Sequence, residues 1–158
     1  MEKHKKGAGS VPPGTEKADT INLLKECDAG TKMAVSSIDD VIGYVEDKDM
    51  YKMLNKSRAH HTELGNEIHE MLNDRGISEK DPPAMASGMS WMKTNLKMMM
   101  EPSDETVADL ITDGCNMGIK SLHEYLNEYE DADESIKDIC HRLIRMEEQL
   151  CDDMAAYL

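Results

Sequence analysis

The chain has 158 residues, 39% apolar and 32% charged, with a net charge of −14. That length suits one domain with one continuous core, and no run of about 18 apolar residues exists that could span a bilayer. The acidic surplus repels phosphate backbones and anionic lipid, so nucleic acid and membrane are poor partners, while cations and basic proteins remain compatible with it.

Residues 1–17 start basic, contain Gly-Ala-Gly-Ser and Val-Pro-Pro-Gly, and lack the apolar stretch of a signal peptide. They read as a disordered tail ahead of a helical domain over 18–158. The four cysteines, Cys27, Cys115, Cys140 and Cys151, form no Cys-x-x-Cys pair. Reduced, buried thiols in a cytoplasmic protein are therefore the expectation. The chain has no Phe, a single Trp and 14 Met, and strand-like alternation is absent, so the fold class is all-α.

The first helix is expected from Asp19 or Thr20 to about Glu46, with Ile21, Leu24, Asp28, Thr31, Val35, Ile38, Ile42 and Val45 on its seam. A second, over about 48–74, carries Met50, Leu54, Ser57, His61, Leu64, Ile68 and Met71, and Gly76 is its stop signal. Its short connection to the first makes the two antiparallel neighbours. Asp81-Pro-Pro then interrupts any helix, because proline lacks an amide proton and crowds the preceding turn. A short helix over about 84–100 follows, with Met85, Met89, Met92, Leu96 and Met99 on one face. Pro102 ends it, and Ser103 with Asp104 and Glu105 forms the capped, acidic start of a helix over about 104–128. Its seam is Val107, Ile111, Cys115, Gly118, Leu122, Tyr125 and Tyr129. A last helix, over about 133–158, carries Ile136, Cys140, Leu143, Glu147, Leu150, Met154 and Tyr157.

A faint duplication runs through this order. Cys27-x-x-Gly30-x-Lys32 recurs as Cys115-x-x-Gly118-x-Lys120, an offset of 88 (115 − 27). With an offset of 86, Leu64, Ile68 and Leu72 fall on Leu150, Met154 and Leu158, and His61 falls on Glu147. The pattern suggests two helical hairpins joined by a long crossover.

Those hairpins, Gly30 and Gly118 inside helices, and the run Trp91-Met-Lys-Thr-Asn-Leu-Lys97 resemble the ferritin-like superfamily, and more narrowly a bacterial branch of it without an assigned function. The resemblance covers about 19–158 and implies a ferritin-like four-helix bundle whose crossover contains a short fifth helix. Iron-oxidising members hold two metals through a Glu on each of two helices and Glu-x-x-His on each of the others. No Glu-x-x-His occurs here. The second helix offers His60-x-x-Glu63 in reverse order, and Glu67 and His69. The last offers Glu147 and Glu148 without a matching histidine, the first only Asp28, and His123 and Glu124 lie on a flank. A standard di-iron centre is not supported.

Glu147 on a seam needs a partner, since an ionised carboxylate in a bundle interior costs several kcal/mol unless paired or metal-bound. A hydrogen bond to His61 or an arginine satisfies it. So does a cation held by His61 and Glu147 with Asp28, Glu63 or Glu148, for which iron, manganese or zinc fit imidazole and hard oxygen. His60 and His61 differ by about 100° around the helix, so only one faces the seam. The methionine stripe reads as crossover packing or a partner surface, ahead of a copper(I) site. No cysteine has an activating base beside it in sequence, and Gly30, Gly65 and Gly118 suit close helix packing better than phosphate binding. The expected function is that of a non-enzymatic bundle acting through protein contacts or homo-oligomerisation. A non-standard metal-binding or redox protein is the alternative.

Overall fold

The computed structural model describes residues 15–77, 98 and 100–158. These form four α-helices, α1 (Thr15–Ile42), α2 (Lys48–Asp74), α3 (Asp104–Glu128) and α4 (Glu134–Met154), and a closing 3-10 turn at Ala155–Tyr157. No strand occurs among the described residues. The expected short helix over 84–100 lies almost wholly outside them, as does the tail through residue 14.

α1 begins at Thr15, so residues 15–17 belong to the helix rather than to the tail, with Glu16 in the favourable first turn. It ends at Ile42, not near Glu46, because Tyr44 and Val45 turn back to bond the carbonyls of Val41 and Ile42. That turn leaves Asp47 extended, and its carboxylate caps α2 by accepting from the Met50 amide at 2.8 Å. Gly76, at φ +65°, stops α2 in the left-handed region where a side chain is strained. Ser103 caps α3 by accepting from the Thr106 amide at 3.1 Å.

α1 packs on α2 and α3 on α4, as two antiparallel hairpins. Two core clusters show how the hairpins are stacked. One joins Leu23, Leu24 and Cys27 of α1 with Leu64, Ile68 and Leu72 of α2, Leu122 of α3 and Ile136, Ile139 and Cys140 of α4. The other joins Ile38 and Val41, Met50 and Leu54, Val107 and Ile111, and Leu150 and Met154. The early half of α1 and of α4 thus shares an end with the late half of α2 and of α3, and the bundle runs up, down, down, up. Ile77 packs against the first cluster and Met98 into the second. Ile77 and Met98 thus sit at opposite ends of the bundle.

α1 also touches α3 and α4, so its buried face is wider than a seam. Leu23 and Cys27 are fully buried, whereas Ile21, Val35 and Ile42, assigned to the seam, are half-buried. In α2 the terminal anchor is Leu72 rather than Met71. Gly30 lets α1 approach α4: a methyl at its Cβ would lie 3.2 Å from Leu143 Cδ2. Gly65 likewise faces Thr31 at 3.1 Å, but Gly118 makes only ordinary contacts with Glu147.

The duplication is visible in the packing. The 86-residue offset carries buried Met50, Leu54, His61, Leu64 and Ile68 onto buried Ile136, Cys140, Glu147, Leu150 and Met154. It also carries the cap Asp47 onto Asp133, the residue preceding α4. Leu158 does not follow Leu72 into the core, because α4 ends at Met154 and leaves Leu158 exposed. Each hairpin also clasps the turn of the other. Asp104 at the start of α3 accepts from the Glu46 and Asp47 amides at 2.8 and 3.0 Å. At the opposite end, Asp19 and Thr20 of α1 accept from the Asp131 and Asp133 amides at 3.1 and 2.8 Å.

Candidate functional site

Besides Thr20 and Thr106 near the helix starts, the buried polar side chains are Asp28, Thr31, His61 and Glu147, which form a layer at mid-height. His61 is 0% exposed and sits on the seam of α2 because the stripe from Met50 to Leu72 carries it there, while His60 is turned out to solvent. Its Nδ1 is 2.8 Å from the Ser57 carbonyl, one turn back, and 3.3 Å from the Ser57 hydroxyl. A carbonyl oxygen only accepts, so the Nδ1 proton is fixed and Nε2 is the variable position.

That Nε2 lies 3.4 Å from Glu147 Oε1, yet no hydrogen bond of good geometry satisfies it. In the neutral imidazole its lone pair would face a carboxylate, and protonation turns this repulsion into attraction. Burial disfavours the imidazolium, but the hydrogen-bonding and charge influence of Glu147, with the Ser57 carbonyl, outweighs burial and raises the His61 pKa above its ordinary value. Glu147, 7% exposed, is approached on another side by Gly118, whose lack of a side chain leaves room around the carboxylate.

Of the other expected ligands, Asp28 shares the layer and lines a cavity with His61, whereas Glu63 and Glu148 are placed outside it. Asp28 is buried but pairs with Lys32 of its own helix, Nζ to Oδ2 3.0 Å, consistent with the lysine reaching back one turn along α1. Glu63 and Glu148 are exposed, and so are His69, His123, Glu124 and His141. Glu67 pairs on the surface with Arg142 at 2.9 Å. Glu63 and Glu148 fall outside the layer because each is one or two positions from its helix's seam residue, about 100–200° away around the axis. Among the described residues, no three His, Cys, Asp or Glu side chains converge as a metal site. The donor set does not fit a di-iron centre.

Cys115 is the group that sequence reasoning missed at this site. It is buried in the cluster against which Cys151 packs, and burial first, then the neighbouring Glu147 carboxylate and Cys151 thiol, push its pKa strongly upward. Cys115 and Glu147 both carry seam spacing, the one available signal, but nothing in one sequence places them at the same height. Cys27 and Cys140 form a second neighbouring thiol pair across α1 and α4, which with burial also raises the Cys27 pKa well above normal. Comparison of the chain with protein-family models, curated proteins and solved structures gave no match.

Proposed function

We propose that this protein is a non-enzymatic, ferritin-like helical bundle that acts through protein contacts, meeting a second copy of itself at one end. The observation that carries the reading is a set of large apolar side chains exposed together at that end. Tyr44 follows α1, Tyr51 lies in the first turn of α2, Met100 precedes α3 and Leu158 follows α4, and all four are exposed. Apolar side chains exposed at one end of a bundle favour a contact surface there. The up-down-down-up order of the two hairpins supports the ferritin-like assignment, since it is the helix order of ferritin-like bundles. Sedimentation equilibrium of the native chain and of a Tyr51→Lys, Met100→Lys variant tests it. Association in the native chain, lost in the variant at unchanged helicity, is the expected outcome. A native chain that stays monomeric across the concentration range would refute self-assembly.

A second reading rests on the unsatisfied His61 Nε2 facing Glu147. A single iron, manganese or zinc ion there would have two protein donors, fewer than the three or four such ions ordinarily take from protein. Metal content after anaerobic loading, with and without His61→Ala, decides it. Stoichiometric metal that the variant loses supports this reading, and equal metal in both chains refutes it.

A further inference from the structure

We propose that Cys115 and Cys151 form a peroxide-sensitive dithiol that closes to a disulfide between α3 and α4. Cys151 packs against the core cluster that contains Cys115. Their placement also follows from the α3–α4 interface. The Cys151 thiol lies 3.6 Å from Asn116 Oδ1 and 4.0 Å from the Thr112 carbonyl. Residues 112 and 116 are one turn apart, and Cys115 occupies that same turn, so Cys151 is inserted against the face that carries Cys115. Next to it, Thr112 Oγ1 is buried without a hydrogen-bond partner, leaving this part of the interface polar and unsatisfied.

The two cysteines differ in access, and the difference assigns their roles. Cys151 is half-buried and can meet a small solute, whereas Cys115, 2% exposed, cannot. Cys27 and Cys140, the other neighbouring pair, are each 0% exposed, so both partners are shielded from the oxidant. Only the Cys115–Cys151 pair combines one reachable thiol with one protected thiol beside it, the arrangement of an attacking and a resolving cysteine.

The chemistry balances with hydrogen peroxide as the oxidant. Cys151 Sγ attacks one peroxide oxygen; the S–O bond forms, the O–O bond breaks, and the thiol proton joins the departing hydroxide as water. Cys115 Sγ then attacks Cys151 Sγ; the S–S bond forms, the S–O bond breaks, and the Cys115 proton leaves with that hydroxide as a second water. Two electrons pass from the dithiol to the peroxide. Both thiols are held protonated, Cys151 by burial and by the charges of Glu147, Asp152 and Glu148, which outweigh the lowering by Cys115, so the reaction needs sustained peroxide rather than trace amounts.

The test is to treat the fully reduced native chain with hydrogen peroxide and map its cysteines by non-reducing peptide mass spectrometry. The expected result is one linked pair, 115 with 151, reversed by dithiothreitol, while Cys27 and Cys140 still alkylate on unfolding. Cys115→Ala should stop the reaction at a Cys151 sulfenic acid that dimedone traps, and raise the sulfinic acid yield at Cys151 by at least about tenfold. Cys151→Ser, at a half-buried position, should leave Cys115 unmodified in a folded chain. A linked Cys27–Cys140 pair, four unreacted thiols, or a sulfinic acid yield at Cys151 that is the same with and without Cys115 would each overturn the proposal.

Discussion

The His61–Glu147 contact predicts an asymmetry between losing one partner and losing both. At 3.4 Å and an effective dielectric constant of about 20, Coulomb attraction is of order 5 kcal/mol. Withdrawing two ions from water costs several kcal/mol each, so the pair's net contribution is close to zero. His61→Leu leaves Glu147 buried beside an apolar side chain and should destabilise the bundle by about 3–5 kcal/mol. His61→Leu combined with Glu147→Leu should return stability to within about 1 kcal/mol of the native chain, or exceed it. The pH dependence has a fixed sign. The folded-state pKa of His61 is raised, so the pair's stabilisation is complete below the ordinary value of about 6.5 and is lost as pH rises through the raised value. Urea unfolding followed by circular dichroism, at about pH 6 and about pH 9, measures it. The native chain should lose stability relative to the double variant between those two conditions. If His61→Leu costs less than about 1 kcal/mol, or if the relative stability of the native chain grows with pH, the two groups are not coupled as described.

Glycine substitutions separate packing from propensity. Gly114 is exposed inside α3 with no neighbour within 4 Å of an added Cβ, so Gly114→Ala should stabilise by about 1 kcal/mol. Gly30→Ala gains the same propensity but meets Leu143 at 3.2 Å in a filled core, and overpacking of about 1–3 kcal/mol should leave it neutral to destabilised by about 2 kcal/mol in the same assay. Thr20→Val removes the acceptor of the Asp133 amide and should cost about 1–3 kcal/mol, chiefly by leaving that amide without its partner. Calorimetry of oxidised and reduced chain should differ as well: a Cys115–Cys151 link closes a loop of 36 residues (151 − 115), for which chain entropy gives about 4 kcal/mol as an upper bound. A lower melting temperature on oxidation would mean that the link strains α3 against α4.

The helices over about 48–74 and 104–128 were legible because each carries a regular stripe with one marked end, Gly76 after the first and Ser103 before the second. The first helix was less legible at both ends. Thr15–Lys17 follow a Gly- and Pro-rich segment that hides a helix start, and Gly43-Tyr44 close a turn inside what reads as a continuing stripe. The buried face of α1 was misjudged by one row because a helix in contact with three others buries more than a two-sided seam. At the site, His61 and Glu147 were legible since both sit on stripes and one offset relates them. The exposure of Glu63 and Glu148 follows from their offset from the stripes, but the pairing of Asp28 with Lys32 was not legible, because position on a stripe fixes direction around a helix but not which neighbour fills the space opposite. The thiol contacts are of that second kind, depending on how far one helix is slid along another.

The duplication gives a physical reason why the unlike pair stands at mid-height. Under the 86-residue offset positions 61 and 147 correspond, and the antiparallel contact of α2 with α4 brings them face to face. Identical residues there would oppose two carboxylates or two imidazoliums at about 3.4 Å, a repulsion of order 5 kcal/mol at an effective dielectric constant of about 20. With histidine on one copy and glutamate on the other, the same geometry becomes attractive, and the raised His61 pKa is the sign of it. The pairing of His61 with Glu147 thus fits the bundle's own construction. The unsatisfied Nε2 follows from the same cause: backbone packing of two near-equivalent stripes sets the 3.4 Å separation, and the side chains take the geometry that this leaves them.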